Sequence, residues 1–171
     1  MKTRYLALVL AGLLMLPPLA GCGGSTRKDI ARVYVSHALE GLVGKEFMTD
    51  LQSGAFWSYY NTNMDHADAR DPNAPDEGFT FVKELDQEEI DRFRQAAERY
   101  GFRNWAKDGK DYHNTEILPS REWNIRVVYS DGTEDSLSGN NAFPDAWNDM
   151  NEAFKTLTGE GVLEPGRIGY H

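Results

Sequence analysis

Residues 123–139 read "WNIRVVYSDGTEDSLSG", and the fold follows from how this stretch is read. Trp123, Ile125, Val127 and Tyr129 fall at every second position, the period that sends alternate side chains of a strand to one face. The next four residues, Ser130-Asp131-Gly132-Thr133, hold the Asp-Gly pair preferred by two-residue hairpin turns, whose central residues both need positive φ. The stretch therefore predicts a β-hairpin with one apolar face.

Downstream, Pro144 is suited to a first helical turn, where a missing N–H costs nothing. Trp147, Met150, Phe154 and Leu157 then form a stripe of helical period that ends at Gly159. Upstream, Asp86 followed by Glu89 resembles a capping box. It opens a helix whose apolar face is Ile90, Phe93, Ala97 and Tyr100 and whose stop is Gly101. Before that helix, "ARVYVSHAL" is rich in β-branched and aromatic residues, and "EFMTDL" and "AFWSYYN" flank Gln52-Ser53-Gly54, which predicts a strand leading into a hairpin. Residues 36–51 can also be drawn as a helix, against which Gly41 and Gly44 count. "FTFVKEL" alternates as the third strand. The order is β-β-β-α-β-β-α, and its simplest layered solution is an α+β domain: an antiparallel sheet of about five strands with two amphipathic helices on one face. No internal repeat is present.

The chain begins with Lys2 and Arg4, then an apolar run of about a dozen residues, short of the roughly 20 that a spanning helix needs. The run closes on Leu19-Ala20-Gly21-Cys22, which looks like the lipobox of bacterial lipoproteins. Residues 1–21 are read as a signal peptide, with Cys22, the single cysteine, as the new N-terminus. It would carry diacylglyceryl and further acyl chains of the palmitate type, and two or three chains hold a protein to a bilayer stably. Residues 22–29 are read as a lipidated flexible tether, 30–160 as one domain and 161–171 as a C-terminal tail. Gly23 after the cysteine lacks the inner-membrane retention aspartate. The expected location is thus the outer membrane in a Gram-negative host, or the outer face of the cytoplasmic membrane in a Gram-positive one.

Lys and Arg number 18 against 27 Asp and Glu, a net charge of −9, and cleavage takes it to −11 by removing Lys2 and Arg4 but no acid. Such a surface excludes nucleic acid as a partner. With its cysteine lipidated, the chain has no disulfide and must rely on its core.

The pattern W-x-I-x-V-x-Y-x-D-G from Trp123, continuing into "SGNNAFPDAW" and preceded by "YGFRNW", resembles a recurrent domain of uncharacterised bacterial lipoproteins and secreted proteins, over about Ala31 to Leu157. The resemblance implies the architecture and supplies no catalytic residue.

Candidate sites are few. "GNNAFPDAW" offers Asn140 and Asn141 as ligand-binding amides near a helix start, although Gly139 with either asparagine at positive φ also accounts for a chain turn there. Trp57 and Tyr59, within the run Phe56–Tyr60, are candidates for an outward aromatic patch, since alternation sends about half of that run away from the core. Asp65, His66, Asp68, Asp71, Asp76 and Glu77 crowd residues 61–78, but their spacing is not that of a calcium loop, and the segment reads as a solvated acidic loop. Asp111, His113 and Glu116 lack the H-E-x-x-H spacing of a zinc site. No nucleophile elbow or free thiol occurs. No metal or cofactor is called for. Two functions follow: a non-enzymatic envelope module binding a protein or other envelope component, or a small envelope-polymer hydrolase using carboxylates such as Asp111 or Asp131 with a histidine.

Overall fold

The computed structural model describes residues 28–39, 42–60 and 79–163. The segment read as a signal peptide, Cys22 and most of the segment read as a tether, the acidic segment 61–78 and residues 164–171 lie outside the described residues. The fold is α+β. Strands β1 (Ile30–Leu39), β2 (Leu42–Asp50), β3 (Ala55–Tyr60) and β4 (Thr80–Glu84) precede helix α1 (Gln87–Arg99); β5 (Arg121–Tyr129) and β6 (Glu134–Asn140) precede helix α2 (Trp147–Thr158). The six strands form one antiparallel sheet in the order β4-β3-β2-β1-β5-β6. The count exceeds five because the region before α1 makes four strands, β1 and β2 pairing back to back down to Leu39 and Leu42.

Alternation divides the sheet into two faces. Val33 and Val35 of β1, Phe47 of β2, Phe56 of β3 and the row Trp123, Ile125, Val127 and Tyr129 of β5 point inward and are buried. Against them pack Ile90, Phe93 and Ala97 of α1 and Met150, Phe154 and Leu157 of α2. Phe93 and Phe154 meet between the two helices with ring centroids 4.7 Å apart. Asp86 caps α1 by accepting the Glu88 N–H at 2.8 Å, and Gly101, at φ 65°, turns the chain out of the helix. Glu89 does not complete a capping box; its carboxylate takes Lys83 of β4 instead, at 3.3 Å.

Two local expectations change. The β5–β6 connection is not a two-residue turn. Tyr129 accepts from the Gly132 N–H at 2.9 Å and donates to Thr133 O at 2.8 Å, which encloses three residues, Ser130–Gly132. Gly132 alone has positive φ, 81°, the arrangement of a type I turn followed by a left-handed glycine. Asp131 thereby avoids the left-handed region and keeps its carboxylate for the Thr133 N–H, the Thr133 hydroxyl and Lys28. In the second case, the packed chain runs past residue 160: Val162 and Leu163 are fully buried. His37 Nε2 donates to Val162 O at 2.8 Å, Asn151 Oδ1 accepts the Leu163 N–H at 2.9 Å, and Trp147 Nε1 donates to Leu163 O at 3.1 Å.

Candidate functional site

The sheet face away from the helices bears no described helix, and its register decides what it presents. Cross-strand partners share a face. Ser36, Asn124 and Ser138 therefore form one row across β1, β5 and β6, and Ala38, Glu122 and Asn140 form the next. All six side chains are short or polar, and they leave a shallow cleft of about 320 Å³ that His113 closes at the β6 edge. That volume is at the lower end of the roughly 300–1,000 Å³ of small-ligand pockets.

His113 reaches this position because residues 112–114 add a short bridge to the end of β6: Asn140 N donates to Tyr112 O at 2.8 Å and Asn114 N to Asn140 O at 2.7 Å. Its Nδ1 lies 2.8 Å from Asp111 Oδ1, and the Asp111 carboxyl is held below its ordinary value by hydrogen bonds from the His113 ring and backbone N–H. On the other side of the cleft the row Tyr34–Arg126 rises as a ridge. The Arg126 guanidinium lies 4.0 Å above the Tyr34 ring and pairs with Glu134 at 3.0 Å.

The floor depends on Gly139. It is buried within β6 opposite Trp123, and a Cβ there would lie 2.3 Å from Trp123 Cζ2 and 2.8 Å from Tyr112 O. The glycine is required by this close approach of the indole and not by a turn.

The sequence-derived candidates separate. Asn140 lines the cleft. Asn141, at φ 56°, has its amide committed to structure: Oδ1 accepts the Arg121 N–H at 3.1 Å, and Nδ2 donates to Ile117 O at 2.8 Å and Asn114 O at 3.3 Å. It fastens the 114–120 loop to the start of β5. The helix that follows starts at Trp147, after Ala146 at φ 61°, so Pro144 precedes it and does not open it. Trp57 and Tyr59 lie on the open face, part-exposed, towards β4. Trp57 meets Phe81 edge-on at 5.3 Å and Tyr59 meets Phe79 at 6.0 Å. Tyr59 is the far end of the row Tyr59–Glu46–Ser36–Asn124–Ser138. Asp131 lies at the opposite end of the sheet from Asp111, where Lys28 at 2.7 Å and Thr133 hold its carboxyl far below the usual range.

Sequence reasoning did not single out Ser36, Glu122, Asn124 or Ser138. Each reads as an ordinary outward residue on an alternating strand, and it takes the pairing of β5 with β6 and of β1 with β5 to bring them together. Among the described residues no three His, Cys, Asp or Glu side chains converge as a metal site, and no helix is long and apolar enough to cross a membrane.

No protein-family model matches this chain, and no curated protein matches it.

Proposed function

We propose that this protein is a lipid-anchored envelope module, attached to the membrane through Cys22, that binds an envelope component in the cleft on its open sheet face and does so without catalysis. One observation carries the reading: a polar cleft built from three strands sits on a sheet face that no described helix covers. The lipobox-like sequence at Cys22 and the acidic composition support the location and argue against nucleic acid. A photo-crosslinking residue at Asn124 in intact cells is expected to capture a specific partner that the same residue at Gln95, exposed on α1, does not. Equal capture at both positions, or none above a lipoprotein control, would refute the reading.

The hydrolase reading is favoured by the Asp111–His113 hydrogen bond at the cleft rim. Both side chains are largely in water, 81% and 53% exposed, where a carboxylate gains little leverage over an imidazole. No described serine hydroxyl bonds His113 Nε2, and Asp131 is at the far end of the sheet. Release of products from purified cell-wall polymer by the wild type, abolished by His113→Ala, would reverse the preference.

A further inference from the structure

The lining of the cleft restricts the ligand beyond "an envelope component". Its side chains are two hydroxyls, Ser36 and Ser138; two amides, Asn124 and Asn140; the Glu122 carboxylate; and the His113 imidazole. Every one bonds through hydrogen; of the other lining residues, Ala38 offers a methyl, Gly139 has no side chain, and the Trp123 indole is buried on the opposite face, so little there rewards an apolar group. Peptide side chains such as leucine or phenylalanine gain no burial in such a cleft. Anionic ligands meet Glu122 within it and Glu46 next to Ser36 in the adjoining strand. The Arg126 guanidinium, in the row beside the cleft, is engaged by Glu134 and the Tyr34 ring.

Groups that donate and accept at once suit this lining best, because serine hydroxyls and asparagine amides do both. The row through the cleft also continues to an aromatic end: Ser138, Asn124, Ser36 and Glu46 lead to Tyr59, which packs beside Phe79. With strands about 4.8 Å apart, five strands span about 19 Å. An extended chain of hydroxyl-bearing rings fits this path, its polar edges on the Ser/Asn rows and its C–H face against the tyrosine ring, which combines an apolar body with a polar tip.

We infer that the cleft binds an uncharged saccharide chain lying across the strands from Ser138 towards Tyr59. This rests on the binding reading above and gives it a ligand class.

The test uses the full mature chain in a zwitterionic, sugar-free detergent, with backbone amide NMR shifts followed during titration. Three probes are used: an N-acetylated amino-sugar oligomer, a glucose oligomer and an acidic uronate oligomer. Saturable shifts at Ser36, Asn124 and Ser138 with either neutral oligomer are expected, and those arms distinguish an amino-sugar polymer from a plain glucan. Asn124→Ala, an exposed substitution that leaves the thermal midpoint unchanged, should weaken binding about fivefold, the effect of one neutral hydrogen bond; Gln95→Ala should not. Preference for the acidic oligomer, shifts confined to the helix layer, or no binding tighter than about 10 mM would overturn the inference. If the saccharides fail while Asn124 still crosslinks a partner in cells, the ligand class is wrong and the binding site stands; failure of both removes the site.

Discussion

Gly139→Ala is the most demanding test of how the cleft floor is built. The new methyl would sit 2.3 Å and 2.5 Å from Trp123 Cζ2 and Cε2 and 2.8 Å from Tyr112 O, where carbon contacts need about 3.5–4.0 Å. Relief requires the indole to retreat by more than about 1 Å. It has nowhere to go, since Trp147 packs on it at 4.7 Å, Tyr112 at 6.0 Å and Phe143 at 6.2 Å. Movement would also stretch the Trp123 Nε1 bond to Ala142 O, now 2.9 Å. Overpacking costs about 1–3 kcal/mol and a weakened hydrogen bond about 1 kcal/mol, so the sum is about 2–4 kcal/mol. At roughly 3–5 °C per kcal/mol for a domain of this size, the thermal midpoint should fall by about 6–20 °C. Thermal unfolding followed by tryptophan fluorescence is the assay, with Ser138→Ala, its exposed neighbour on the open face, as a control expected within about 0.5 kcal/mol of wild type. A Gly139→Ala midpoint within about 1 °C of wild type would show that the indole does not lie across this glycine.

Four further outcomes are expected. Cys22→Ser should leave the protein uncleaved or move it out of the membrane fraction, and a shorter mature form still in membranes would contradict the lipobox reading. Phe154→Ala, which removes a fully buried ring packed on Phe93 and Phe102, should cost about 3–5 kcal/mol in denaturant unfolding; a loss under about 1 kcal/mol would mean the helices do not share this core. Gly132→Val should destabilise by about 1–3 kcal/mol and Gly132→Asn by much less, because the position needs positive φ and nothing lies within 4 Å of the added Cβ; equal effects would exclude backbone strain as the cause. His37 is held below its ordinary value of 6.5, first by burial and then by Lys45, against the opposing Val162 carbonyl. The unfolded chain therefore binds the proton first, so the His37 contribution is intact above about pH 6.5 and is lost as pH falls below it. His37→Gln should flatten the stability–pH curve between about pH 6.5 and the lower folded-state value, and an unchanged slope would exclude this linkage.

Elements with a strong period were legible in the sequence. The stripe of α1 and the alternation of β5 each repeat one physical constraint several times, so a stray residue does not blur them. Turn chemistry was half legible: Asp131-Gly132 announces a tight reversal, but the loop found, with positive φ at Gly132 alone, goes with contacts of the Asp131 carboxylate to Thr133 and to the distant Lys28. The end of the domain was not legible, because the side chain that hydrogen-bonds the Val162 carbonyl is His37, 125 residues earlier. The cleft was the least legible. Ser36 and Asn124 are far apart in sequence, and polar residues at alternate strand positions look alike whether they face bulk water or a binding site.

The arrangement of the two ends of the sheet bears on where a ligand would be met. The described chain enters at Lys28 and Asp29, fastened to the β5–β6 turn by the Lys28–Asp131 pair and by the Ser130 N–H on Asp29 O at 2.8 Å. From Ile30, Ser36 and Ala38 lie six and eight residues along β1, about 20–26 Å at the rise of an antiparallel strand. On the proposed Cys22 anchor, the described chain would be reached from the lipid at the end of the sheet that holds the Asp131 turn, with the cleft at the other end. A net charge of −11 after cleavage repels anionic headgroups and disfavours lying flat on them. A protein so anchored would have its cleft at the end of the sheet remote from its tether, an arrangement that favours a ligand in the aqueous envelope over a lipid headgroup and agrees with a cleft lined by hydroxyls and amides.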